Sequence, residues 1–305
     1  MAVAATTSPA RTMSIWRMRA HNAVNSGAVN GNLVSRFTFC VLLFTAYCLL
    51  LTACTITRPV LKIGLVAPFE GRYRDVGYEV VFAVRLAVRE INAAGGVGGY
   101  SVELVALDDS GDEQMAVEQA RKLAADASVI AVIGHWRENT TIAAAPEYER
   151  VSIPLIAPSA NAQLPASAFK LWAVSPCHLI TPTDCFESLE DLELAAVNNL
   201  TLTVPAPLPI DSTNATFAER YRPIAFGYEP KFNAVLAYDA AQLIFDAIAR
   251  DVAQNQTPTR AGVAEQLELS NFSGLSGEIS FNATRQWAAP GAWTYVWRKN
   301  ELARP

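Results

Sequence analysis

Between residues 61 and 161, apolar runs of strand length alternate with stretches of helical spacing. Few folds accept that alternation. Leu61-Lys62-Ile63-Gly64-Leu65-Val66-Ala67-Pro68 is an apolar run closed by proline, the pattern of a buried strand. Over residues 77–94, Val80, Val81, Val84, Ala87, Val88 and Ile91 fall at helical spacing, and Gly95-Gly96 follows as a left-handed cap. Residues 102–107 predict a second strand and 116–125 a second helix. Residues 129–133 predict a third strand, 140–150 a third helix and 154–156 a fourth strand. Such alternation predicts an α/β fold, a parallel sheet with helices on both faces. Ligands bind these sheets at the carboxyl ends of the strands. The turns expected there are residues 68–76, 108–112, 134–139 and 157–161, rich in Gly, Pro, Ser, Asn and charge.

The 305 residues suffice for two lobes or domains. The first 53 carry four Arg, no Lys and no acid, leaving 20 basic and 29 acidic residues in the body, a formal charge of −9. An acidic body without a basic stripe argues against a nucleic-acid partner.

Residues 1–53 read as a leader. Arg36 precedes fifteen uncharged residues, 37–51. That run is short for a spanning helix, which takes about 17–25 residues, and it suits the core of a secretory signal. It ends in Leu51-Thr52-Ala53-Cys54, which resembles the bacterial lipoprotein cleavage box. The resemblance implies cleavage before Cys54 and a lipid on its thiol; a plain membrane anchor with an incidental Cys is the alternative. Met13 and Met18 are alternative starts. Cys177 and Cys185 remain in the body around a polar segment. In an oxidising exterior they are a candidate disulfide, with two free thiols as the alternative. No metal site is expected, since only His178 stands near them.

Further segments carry a family resemblance. They are Ile63-Gly64-Leu65-Val66-Ala67-Pro68, the stretch from Glu90 to Gly99, Asp108-Asp109, Ile133-Gly134, the stretch from Ile153 to Ala160, and Tyr238-Asp239-Ala240-Ala241. In this order they resemble the leucine/isoleucine/valine-type solute-binding proteins of ABC importers, over about two thirds of the chain. The resemblance implies a type I periplasmic-binding fold, in which two α/β lobes close on a solute. Lobe one would comprise residues 61–169 and 205–275, with an amphipathic helix over 233–251 and a short one over 259–267. Residues 170–204 and 276–305 would supply crossing strands and lobe two. Only 25 residues, 175–199, separate the two expected crossing strands. A βαβ unit needs about 30 and a compact domain about 50 or more, so lobe two is expected to be a remnant. Within it, 186–197 predicts one acidic helix, and 277–281 with 293–297 a hairpin beside the crossing strands.

The resemblance also implies a site. The family's Ser-Ala-Thr triplet reads here Ser159-Ala160-Asn161. Ser159 and Ala160 carry over as ligand contacts, and Asn161 puts an amide in place of a hydroxyl; a purely turn-shaping role is the alternative. Trp136 is suited to stack on an apolar ligand, Arg137 to hold a carboxylate, and Tyr73 to line the cleft. Asn139 or Thr140 reads as a helix cap. Asp108, Asp109 and Asp112 read as caps and solvated acids, His135 as a polar loop residue, and Asp239 as a packing partner within its helix. No catalytic pattern stands out, so the expected activity is binding without catalysis or cofactor. The implied partners are an amino acid of the branched-chain type or a related amide, the permease subunits of an ABC importer, and the membrane through Cys54. The implied location is outside the cytoplasm, lipid-anchored to the cell membrane. A surface sensor or interaction lipoprotein, or a degenerate non-binding remnant, is the rival reading.

Overall fold

The computed structural model describes residues 35–44, 58–158, 164–171, 200–208, 215–291, 293–298 and 301–303. The chain forms two compact units, Met1–Thr57 and Arg58–Pro305. In the first, α1 (Ser35–Phe44) is a short apolar helix with Phe37, Leu42 and Phe44 exposed. Cys54, Cys177 and Cys185, the 159–161 triplet and the expected acidic helix lie outside the described residues.

The second unit is built on a five-stranded sheet. Its strands are β1 (Val60–Ala67), β2 (Ser101–Asp108), β3 (Val129–Gly134), β4 (Leu155–Ala157) and β5 (Phe169–Lys170), in the order β2-β1-β3-β4-β5. All pairs are parallel. The first three crossovers are helices: α2 (Arg74–Ala93), α3 (Glu113–Ala125) and α4 (Glu138–Glu149). Alternate residues of β1 serve opposite faces, as strand geometry requires. Leu61, Ile63 and Leu65 join a core with Val80, Val84 and Ala87 of α2, while Val66 joins a second core with Ala120 and Leu123 of α3 and Ala144 of α4.

Local contacts explain the joints. Asn92, near the end of α2, bonds both backbone groups of Val102 and pins the helix to the start of β2. Asp112 caps α3 by accepting from Met115 N at 2.8 Å. At α4 the expected cap at Asn139 or Thr140 is not what forms. The cap residue is Arg137, and the Thr140 and Thr141 hydroxyls donate to its carbonyl. The helix therefore begins earlier than apolar spacing suggested.

The chain returns through α5 (Ala215–Tyr221), α6 (Phe232–Asn255) and α7 (Arg260–Glu268). Val235, Leu236, Leu243, Ile244 and Ile248 of α6 lie in the same core as α2. Among the described residues α6 alone is long and apolar enough to cross a membrane, but most of it is buried, as befits a core helix. Asp239 accepts from Leu275 N, Ser276 N and the Ser276 hydroxyl, so it fixes a neighbouring turn as well as packing in its helix.

That turn corrects one expectation. β8 (Gly277–Ser280) pairs with β7 (Asn271–Gly274), not with the segment near 293–297. β9 (Trp293–Arg298) instead pairs with β6 (Leu200–Val204) and β10 (Glu301–Ala303) in a separate antiparallel sheet. The Asp239 bonds hold the residues between β7 and β8 in a tight reversal, so the local pairing wins over the distant one.

Gly77 admits the closest approach in this region. A Cβ there would lie 2.0 Å from the Pro68 carbonyl oxygen, so only glycine lets the first turns of α2 settle against the end of β1. Gly77→Ala is expected to cost about 3 kcal/mol by overpacking. Gly99→Ala, with φ +88 and open space around it, should cost about 1–2 kcal/mol through backbone strain alone. Urea unfolding should rank them so; equal midpoints would contradict the packing.

Candidate functional site

The order β2-β1-β3 places a topological switch between β1 and β3. From β1 the chain turns to α2 on one face, and from β3 to α4 on the other. A crevice opens at the carboxyl ends of such a pair. Three turns meet there. Tyr73 follows β1, Gly111 follows β2 and Arg137 follows β3. The Arg137 guanidinium carbon lies 3.9 Å from the Tyr73 ring centroid, and that of Arg72 lies 5.6 Å from the same centroid. Gly111, at φ +71, tucks beneath them; a Cβ there would lie 3.0 Å from Arg137 Cδ.

The acids in these turns are engaged. Asp108 accepts from Phe69 N, Ser110 N and the Ser110 hydroxyl at 2.7–2.8 Å. Burial would raise its carboxyl, yet these bonds hold it below the usual carboxylate range. Asp109 is fully buried, with Oδ2 2.8 Å from His135 Nδ1. His135 Nε2 lies 3.1 Å from the Tyr148 hydroxyl. Burial, with Asp109 nearby, pushes that hydroxyl well above its ordinary range, so it stays protonated. The expectation of a solvated acid is thus corrected at Asp109, and His135, expected as a polar loop residue, is a buried one. Together with Tyr148 they form a sealed bridge joining the β2 turn, the β3 turn and α4, and a buried polar group is retained only when so paired.

Residues 60–181 match the family model for periplasmic binding proteins. The chain is similar to that family over this stretch. This chain is 35% identical over 103 residues to an amino acid binding protein of Pseudomonas aeruginosa, 33% of this chain and 28% of that protein. It is 33% identical over 112 residues to the Leu/Ile/Val-binding protein of Escherichia coli K12, 36% of this chain and 30% of that protein. The matched region thus spans about 30% of the length of these curated relatives. A branched-chain amino acid transporter substrate binding protein from Streptococcus pneumoniae, solved with isoleucine, superposes with a TM-score of 0.66 at 18% identity, covering 80% of this chain and 97% of that one. A solute binding protein of R. palustris, solved with benzoate, gives 0.62 at 15% identity, covering 80% and 95%. These likenesses show the fold, the type I periplasmic-binding architecture with its parallel sheet flanked by helices.

Of the residues expected to line the site, the fold brings Tyr73 and Arg137 into contact across the switch point. Trp136 is half-buried and directed toward α6, its indole N–H 3.3 Å from Asn233 Oδ1. Ser159, Ala160 and Asn161 lie outside the described residues. Sequence reasoning missed Arg72, Glu79 and Asn233. The one available signal was an acid, Glu79, at an inward position of an apolar helix.

Glu79 connects α2 to the start of α6. Its carboxylate accepts from Lys231 N at 3.1 Å and Ala234 N at 2.8 Å, and lies 3.5 Å from Asn233 Nδ2. It also borders a cavity of about 590 Å³ lined by Glu70, Tyr78, Phe82, Phe226 and Tyr228. Burial pushes its carboxyl up to about 7, against the pull of the Lys231 charge and the amide donors. A folded-state pKa above the unfolded one gives stability that is full at low pH and is lost as pH rises. The window here runs from about 4.5 to about 7, and about 1.4 kcal/mol per unit makes the effect on the order of 3–4 kcal/mol. Asp239, raised by burial to about 6, acts in the same direction but is common to both proteins compared. Denaturant unfolding at pH 4.5 and 7.5 should show a larger loss of stability in the wild type than in Glu79→Gln. Parallel losses would remove Glu79 from this role.

Proposed function

We propose that this chain is the extracytoplasmic solute-binding component of an ABC importer, taking up amino acids of the branched-chain type or related amides without catalysis. The observation that carries the reading is the switch-point crevice of a periplasmic-binding fold, where Tyr73 and Arg137 meet. In this reading Tyr73, Trp136, Arg137, Ser159, Ala160 and Asn161 contact the solute. Residues 61–169 and 205–275 act as lobe one. Residues 170–204 and 276–305 supply crossing strands and a reduced second lobe, and closure by hinge motion gives the permease subunits a loaded form to recognise. The names of the relatives and of the isoleucine-bound neighbour support this solute class. The lipoprotein-like box supports cleavage of residues 1–53 and a membrane-held Cys54, since each buried acyl CH2 contributes about 0.8 kcal/mol.

A second reading rests on the 25 residues between the expected crossing strands. So short an opposing lobe buries less of a solute, which favours a surface interaction protein or a remnant that no longer binds.

A thermal-shift panel of leucine, isoleucine, valine, other amino acids and short amides separates the two. A solute at about 100 times its Kd stabilises the folded chain by about 2.7 kcal/mol, so at least one compound should raise the Tm. A Tm unmoved by the whole panel would favour the second reading. Membrane fractionation checks the anchor: Cys54→Ser is expected to move the protein into the soluble fraction, and retention at the membrane would contradict lipidation.

A further inference from the structure

The indole N–H of Trp136, in the turn after β3, is held by one buried amide. It donates to Asn233 Oδ1 at 3.3 Å, and Asn233 is 4% exposed. An indole N–H can only donate. It therefore fixes the amide with its oxygen toward Trp136 and its NH2 group turned the other way. On that side stands Glu79, with Oε2 3.5 Å from Asn233 Nδ2. The other oxygen, Oε1, accepts from Lys231 N and Ala234 N at 3.1 and 2.8 Å. Lys231 is the cap residue of α6 and makes no side-chain cap bond, so Glu79 of α2 serves donors at that helix end from across the core.

The two carboxylate oxygens are thus unequal. A proton settles on Oε2, because Oε1 already accepts twice. An O–H at Oε2 meets the NH2 of Asn233, donor against donor. Turning the hydroxyl away leaves Asn233 Nδ2 without this acceptor. Turning the amide over sets its NH2 against the indole N–H. Either response loosens the hold on Trp136. Burial pushes the Glu79 carboxyl up to about 7, so this proton comes and goes near neutral pH. Around Glu79 stand Lys231, whose charge favours the carboxylate, and the Tyr221 hydroxyl, which donates to the Glu79 carbonyl at 3.0 Å. Glu70, Arg74, Asp75 and Glu229 line the cavity beside it. On the Trp136 side the titratable neighbour in the chain is His135, bonded to Asp109 and Tyr148.

We propose that Asn233 is a positioning residue for Trp136 that passes the protonation of Glu79 to the crevice, so that solute is held less tightly once Glu79 takes up a proton. The proposal rests on the solute-binding reading above and adds a regulation to it.

Fluorine NMR of the full chain labelled with fluorotryptophan reads the link without any solute. The Trp136 signal is the one lost in Trp136→Phe. As pH falls it should shift in one step near pH 7. In Glu79→Gln it should keep the wild type's acid position at every pH, because the new amide NH2 faces Asn233 as the acid proton does. In Asn233→Leu it should not move with pH. A wild-type signal that stays still, or a step that survives in either variant, would overturn the proposal; survival in both would assign the step to another group such as His135. Calorimetry reads the consequence. Whichever of leucine, isoleucine and valine binds best at about pH 8 should bind about three- to tenfold more weakly at about pH 5.5. In Glu79→Gln it should bind weakly at both. A wild-type affinity independent of pH would overturn the regulation while leaving solute binding intact. If none of the three binds, the solute-binding reading fails, and the fluorine signal decides the link from Glu79 to Trp136. If one variant fails to fold, the other, with the wild-type titration, decides.

Discussion

The pairing of β1 with β3 governs the rest of this molecule. The two strands run parallel and adjacent, yet their helices leave on opposite faces. The turns after them must diverge, and a crevice results from topology before any side chain is considered. β1 can hold this central place because each of its faces is covered. α2 and α6 lie over Ile63 and Leu65, and α3 lies over Val66. Gly77 then lets α2 begin close enough to the end of β1 for Tyr73 to stand at the crevice mouth.

Two polar assemblies keep the crevice in shape. Beneath it, Asp109, His135 and Tyr148 tie the β2 and β3 turns to α4 with no water contact at His135 or Asp109. To one side, Glu79 holds the amino end of α6, and Asn233 of that helix meets the Trp136 indole. The crevice residues therefore stand on supports drawn from widely separated parts of the sequence. Their placement is set by folding rather than by the solute, which is the condition for a preformed site.

The sheet and its helices were legible because their apolar residues repeat with periods of two and 3.6. The helix starts were less so: α2 begins at Arg74 and α3 at Glu113, because each opens on two polar residues, Arg74-Asp75 and Glu113-Gln114, that carry no apolar signal. The β7–β8 reversal escaped prediction because it depends on Asp239, more than thirty residues earlier. The burial of Asp109 and His135 escaped it for the same kind of reason. Paired buried polar groups have no periodic signature; each reads as a surface residue until its partner is known. Tyr73 and Arg137 were legible as turn residues at strand ends, but not their contact, which joins turns more than sixty residues apart.

The central claim is that the solute docks between the turns after β1 and β3. Amide hydrogen exchange, with and without saturating leucine, isoleucine and valine, tests it most directly by locating any protection in the chain. The account predicts slowed exchange in residues 69–73 and 135–138. Protection confined to the cavity along α2, at residues 226–231, or found in neither place, would contradict it.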